Sequence, residues 1–217
     1  MRPTRRGFIA GSAALPLAAQ AGAEGRADMA GQVAADLGRY IGFGGKASGG
    51  AGDSACGHWL ADELEKAGFA VEKPALSVPW FAPDRCEIVA GDARAALWPQ
   101  PIVVPTDAAG VTGPLVRVDA AGRADAPLAG AVALIDLPYN RWSSALAKPV
   151  RAPIEAAFAA GAKAAVVVTN GPTGKVIALN PDGRAPTFAR PAGLLAPADA
   201  GPFPAAAMAH GTATVTL

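Results

Sequence analysis

Histidine and cysteine are nearly missing from this sequence. Two of each occur in 217 residues: His58, His210, Cys56 and Cys86. So few imidazoles and thiols leave little material for a metal centre, which takes at least three protein ligands from one scaffold when the metal is zinc. Aromatic residues make up only 6%, so any core must be aliphatic. Charge is also scarce, at 17% of residues with a formal net of +1. That balance carries no electrostatic footprint for nucleic acid. No apolar run reaches the roughly 20 residues that a membrane span needs. What abounds is alanine, glycine and proline. With 51% hydrophobic residues the chain can bury a real core, and with 26 glycines and 20 prolines it must turn often between short elements. The length suits one compact domain or two small ones.

The first 23 residues read as a targeting segment and not as part of the fold. "TRRGFIA" pairs Arg5 with Arg6 ahead of Phe8 and Ile9, and resembles the twin-arginine export motif, with Ala10 where a lysine is common. "GSAALPLAA" is a short, mildly apolar stretch, and "AQA" or "AGA" fits small-x-small cleavage. Removing Arg2, Arg5 and Arg6 takes the formal charge from +1 to −2. The expectation is a periplasmic or secreted protein exported by the twin-arginine route. In that compartment Cys56 and Cys86 can form a disulfide, or stay as two free buried thiols.

Beyond the leader, Met29, Val33, Leu37 and Ile41 recur every four residues and predict an apolar helical stripe, capped by Asp28 and ended by Gly44-Gly45. A loop "GGKASGGAG" follows. Asp53 or Ser54 is placed to cap a second helix. Trp59, Leu60 and Leu64 form its expected buried face, and Gly68 its left-handed end. "AVEKPALSV" reads as a strand. From Trp80 the texture changes to short apolar runs separated by Gly, Pro and Asp: "CEIVAG", "RAALW", "PIVV", "GPLVRVD", "GAVALIDLP". "IVAGDARAALW" predicts a hairpin about Gly91-Asp92. A helix through Ile154 and Phe158, stopped at Gly161, leads to the wholly apolar run Ala164 to Val168, which suits a strand buried on both faces. "TATVTL" is a last strand.

Several groupings invite a chemical reading, and each has a weakness. Gly45-Lys46 would need a glycine five residues earlier and Ser or Thr after the lysine to cradle phosphate; Tyr40 and Ala47 stand there instead. His58 and Asp62 share a helix face but lack a third ligand. Cys56 and Ser54 lie close to His58, yet neighbours at such spacing on a helix point apart. No Gly-x-Ser-x-Gly elbow surrounds Ser54, Ser143 or Ser144. His210 has no evident triad partners. Arg117, Asp119, Arg123 and Asp125 read as a solvated edge. Trp80-Phe81 and Trp98-Pro99 read as packing or as a peptide groove. Lys148, Arg151 and Asn170 fall at the ends of the strand–helix–strand unit, where ligands often bind. No residue is assigned a catalytic, cofactor-binding or metal-binding role.

Two stretches together resemble a known family. "DLGRYIGFGGKASGGAGDSACGHWLADELEKAGFAVEK" is similar to the N-terminal lead-in of zinc-dependent exopeptidases of the aminopeptidase and glutamate-carboxypeptidase kind. "GPLVRVD…LAGAVALIDLP…APIEAAFAAGAKAAVVVTN" resembles the protease-associated (PA) domain inserted in many of them, with "TATVTL" as its closing strand. The resemblance implies an α/β fold (α+β as the alternative). Residues 24–78 would be a helix–loop–helix–strand lead-in and residues 79–217 a PA-like domain. In the complete family enzyme it implies two zinc ions and a peptide or protein substrate. The family's zinc ligands follow the insert and include a His-x-Asp; this sequence has no His-x-Asp and no Glu-Glu pair. The expectation is therefore the N-terminal portion of an exported zinc peptidase, inactive alone, whose lead-in helices are covered by the rest of the enzyme or by a partner protein. The alternative is a stand-alone PA-like module that binds peptides or proteins. A third reading is a hydrolase built on Cys56 or Ser54.

Overall fold

A computed structural model describes residues 14–79, 81–100, 102–181 and 185–217, with side chains from residue 28 onward. The described chain divides into a helical unit up to Trp80 and a barrel unit from Phe81 to Leu217. The mixture of helices and strands is compatible with the expected α/β class.

The helical unit holds α1 (Ala14–Gly42) and α2 (Ala51–Lys66). Asp28 lies inside α1 rather than capping it, because the helix starts 14 residues earlier. The Gly44 amide closes the end of α1 on the Ile41 carbonyl at 3.0 Å. The return loop is tight: a Cβ on Gly52 would stand 2.2 Å from the Gly45 carbonyl oxygen, so only glycine fits there. Neither predicted residue caps α2 from the N-cap position, which Gly50 occupies without a side-chain bond. Asp53 sits three residues inside the helix instead, and its carboxylate reaches back to accept from the Gly49 amide at 2.9 Å. There it also meets the positive end of the helix dipole. Gly68 ends α2 as expected. At φ 89 it places the Phe69 and Gly68 amides on the Leu64 and Glu65 carbonyls, both at 3.0 Å.

Burial in this unit departs from the expectation. Cys56, Trp59 and Ala61 are the buried residues of α2, while Leu60 and Leu64 are exposed. The α1 stripe keeps its helical spacing but not its burial: Met29 is 67% and Ile41 70% exposed. "AVEKPALSV" forms no strand, and Leu76 is 78% exposed. A strand needs a neighbour for its backbone N–H and C=O groups, and no strand is found among the described residues of this unit.

In the barrel unit seven strands close in the order β1-β2-β6-β5-β4-β3-β7. These are β1 (Glu87–Ala90), β2 (Ala93–Pro99), β3 (Val111–Val118), β4 (Val132–Asp136), β5 (Ala164–Val168), β6 (Ala192–Leu195) and β7 (Thr212–Thr216). The β1–β2 hairpin pairs Ala90 with Ala93, which leaves Gly91-Asp92 as the expected two-residue turn. The segment β3-β4-β5-β6 is parallel and the remaining pairings are antiparallel. "PIVV" is irregular in its described part, although Val103 is buried.

Strand periodicity explains the apolar runs. Val132 and Leu134 of β4, with Ala164, Val166 and Val168 of β5, belong to the core inside the barrel. Their neighbours Ala133, Ile135, Ala165 and Val167 belong to a second core outside it. Alternate residues thus face two apolar layers along the buried length of these strands. The outer layer is covered by α3 (Lys148–Ala159), which buries Val150, Ile154, Ala157 and Phe158. Burying a side chain the size of Ile154 or Phe158 contributes about 1.5–3 kcal/mol. A short helix, α4 (Pro202–Met208), inserts Phe203 into the inner core with no residual exposure.

Candidate functional site

The parallel strands all finish at one mouth of the barrel, where Arg117, Asp136 and Asn170 come together. β3 runs through Arg117, β4 ends at Asp136, and Asn170 follows β5. All three residues line a cavity of about 200 Å³. Its floor is Leu134 and Val168. Its far wall is the turn and short helix after β6, contributed by Pro197, Ala200, Gly201 and Pro204.

Register explains the convergence. Arg117 pairs with Leu134, and Asp136 pairs with Val168. Arg117 is two residues from Leu115, Asp136 two from Leu134, and both leucines face the barrel interior. The period of two therefore carries Arg117 and Asp136 along the same inner face, where the interior opens to solvent. Asn170 locks the rim: its amide nitrogen donates to Asp136 Oδ1 and to the Leu137 carbonyl, both at 2.6 Å. The Asn170 backbone carbonyl accepts from the Asn140 backbone amide at 3.1 Å. The half-buried Arg117 guanidinium makes no hydrogen bond or ion pair to any described residue.

A larger cavity, about 520 Å³, opens at the other mouth, where β7 ends and β1 begins. Three of its polar side chains, Arg85, Asp107 and Thr106, are engaged within the protein. Arg85 donates to the Ala108 carbonyl at 2.9 Å, Asp107 accepts from the Ala109 and Gly110 amides, and Thr106 exchanges bonds with Leu217.

The structure separates the "solvated edge" into two kinds of residue. Asp119 and Arg123 form a surface clamp, with the guanidinium 2.7 Å from the carboxylate. The Arg123 backbone amide, the guanidinium and the Ala121 amide hold the Asp119 carboxyl below its ordinary value. Arg117 is not part of that edge and belongs to the mouth. The signal that would have marked it is a lone cation at an inward position of an otherwise uncharged strand. Asn170 is at the mouth, as its position suggested; Asp136 was missed as a partner. Lys148 and Arg151 do not line the cavity, and Arg151 pairs with Glu155 at 2.6 Å along α3.

The nucleophile candidates do not come together. Ser54 and His58 are exposed and Cys56 is buried, and no hydrogen bond joins them. The Ser144 hydroxyl accepts from the Leu146 amide at 3.2 Å. His210 is exposed at the end of α4. Both cysteines are free, and burial pushes the Cys86 thiol up. Trp98 is half exposed, Phe81 packs against the inner core, and Trp80 lies outside the described residues. Lys46 stacks on the Tyr40 ring at 4.0 Å rather than facing a phosphate cradle. The residues present do not fit a zinc centre. His58 and Asp62 are both exposed, and no three His, Cys, Asp or Glu side chains meet in a metal-holding group among the described residues. The leader motif also lies outside the described residues, and no described helix is long and apolar enough to cross a membrane.

Comparison with known proteins locates this architecture. The chain shares its fold with part of an aminopeptidase. It superimposes on a zinc aminopeptidase from Bacillus subtilis with a TM-score of 0.56 and 18% identity, over 82% of this chain and 40% of that one. It superimposes on a peptidase M28 precursor from Shewanella amazonensis SB2B with a TM-score of 0.57 and 18% identity, over 78% of this chain and 42% of that one. The chain thus spans about two fifths of the length of these structures. No family model and no curated protein matches it.

Proposed function

We propose that this chain is the N-terminal portion of an exported zinc-dependent exopeptidase of the aminopeptidase kind, with residues 24–78 as its helical lead-in and 79–217 as a PA-like domain. The observation that carries the reading is the extent of the match. The barrel unit is under two thirds of the chain, so a superposition over 82% takes in part of the helical unit as well. A barrel alone recurs in many settings, whereas this helix–loop–helix followed by this barrel is a specific order. The exposed stripe on α1 adds support, because four large apolar side chains at helical spacing call for a covering surface. In the complete enzyme two zinc ions would be held by residues outside those described, the substrate would be a peptide or protein, and residues 1–23 would direct twin-arginine export.

The reading is tested by assaying two proteins on aminoacyl 4-nitroanilides. One is this chain and the other is the full translated product of its gene, each with and without a zinc chelator. Chelator-sensitive release by the full product and none by this chain is the expected pair of results. Release by this chain that survives chelation would overturn it.

A second reading is a PA-like binding module without catalysis. It is favoured by the polar cavity at the barrel mouth, which is built from the barrel unit's own residues.

A further inference from the structure

We propose that the mouth cavity formed by Arg117, Asp136 and Asn170 binds one free amino acid in its zwitterionic form. The inference concerns the barrel alone and does not rest on the peptidase reading. Three observations carry it. Arg117 and Asp136 face the same cavity, yet no ion pair joins them. Opposite charges that share a cavity and do not neutralise each other present two separate poles. The Arg117 guanidinium has all its donors unspent among the described residues, and a guanidinium fork matches a carboxylate in a bidentate manner. Asp136 is held by Asn170 through Oδ1 alone, which leaves Oδ2 to accept from an ammonium group.

Size and wall chemistry narrow the ligand. A cavity of about 200 Å³ is smaller than the roughly 300–1,000 Å³ of pockets for drug-sized molecules, so it suits one small molecule and not an extended peptide. Leu134 and Val168 offer an apolar floor for a short aliphatic side chain. An α-carboxylate on Arg117 and an α-ammonium on Asp136 complete the fit. A simple anion would leave the Asp136 carboxylate facing like charge, and a simple amine would do the same to Arg117.

The test is calorimetric titration of the whole chain with L-alanine, N-acetyl-L-alanine, L-alaninamide and sodium sulfate. L-Alanine should bind saturably, and the analogues lacking either charge should bind about tenfold more weakly or worse. Arg117→Met keeps the apolar stem, and Asp136→Asn keeps an oxygen to accept from Asn170. Both variants should retain the wild-type circular dichroism spectrum and lose L-alanine binding by at least about tenfold. The proposal is overturned if L-alanine shows no binding up to roughly 10 mM. It is also overturned if N-acetyl-L-alanine or sulfate binds as well as L-alanine, or if both folded variants bind like the wild type.

Discussion

The Arg39 guanidinium lies over the Trp59 ring, 5.3 Å from its centroid, while the Phe43 ring meets the same indole at 5.7 Å. One buried tryptophan thus ties α1, the loop after it and α2 together. Trp59→Ala should destabilise the helical unit by about 3–5 kcal/mol, as for other large aromatic truncations. Arg39→Ala should cost about 0.5–1 kcal/mol, since it removes an exposed cation from the ring face and an exposed ion pair to Glu63 at 3.7 Å that adds little. Hydrogen exchange of the α2 amides reads both effects, and equal effects from the two variants would refute the ranking.

His210 is the non-glycine residue at positive φ among those described, with φ 52, two places past the end of α4. The Gly211 and His210 amides close the helix on the Ala206 and Ala207 carbonyls at 2.9 and 3.0 Å. The geometry is the one glycine adopts freely and a side chain resists. His210→Gly should therefore raise stability by about 1 kcal/mol in thermal or urea unfolding.

The clamp on Asp119 predicts a pH effect of fixed sign. Its carboxyl titrates lower in the folded chain than in the unfolded one. The stabilisation is therefore complete above the ordinary aspartate range and is lost as pH falls through the depressed folded value. The difference in melting temperature between wild type and Asp119→Asn should be largest near neutrality and shrink in acid. A difference that grew on acidification would contradict the assigned hydrogen bonds.

Cys56 and Cys86 are free thiols. Denaturing alkylation without reductant should add two labels to the intact mass. In the folded chain at mildly alkaline pH, Cys86 should react more slowly than a small-molecule thiol, because burial favours its neutral form. Labelling that appears only after reduction would establish a disulfide instead.

The barrel was legible wherever a local rule and the tertiary environment agree. The runs "VALID" and "AAVVV" are apolar because two cores flank them. Gly91-Asp92, Gly68 and Gly161 mark turns that only the local backbone decides. The helical unit was less legible because burial depends on what lies opposite. Leu60 and Leu64 have the spacing of a buried face but no apolar layer over them. "AVEKPALSV" alternates like a strand but has no sheet to join. At the mouth, Asn170 could be placed from its position after a parallel strand. Arg117 and Asp136 could not, since Arg117 lies near Asp119 and Arg123 in sequence but takes no part in their ion pair. Only the register of β3 on β4 brings it to Asp136.

The most direct test of the central claim is the intact mass and zinc content of the protein isolated from its own cells. A species longer than residues 24–217, carrying two zinc ions per chain, is the predicted result. A zinc-free species that ends at Leu217 would contradict it.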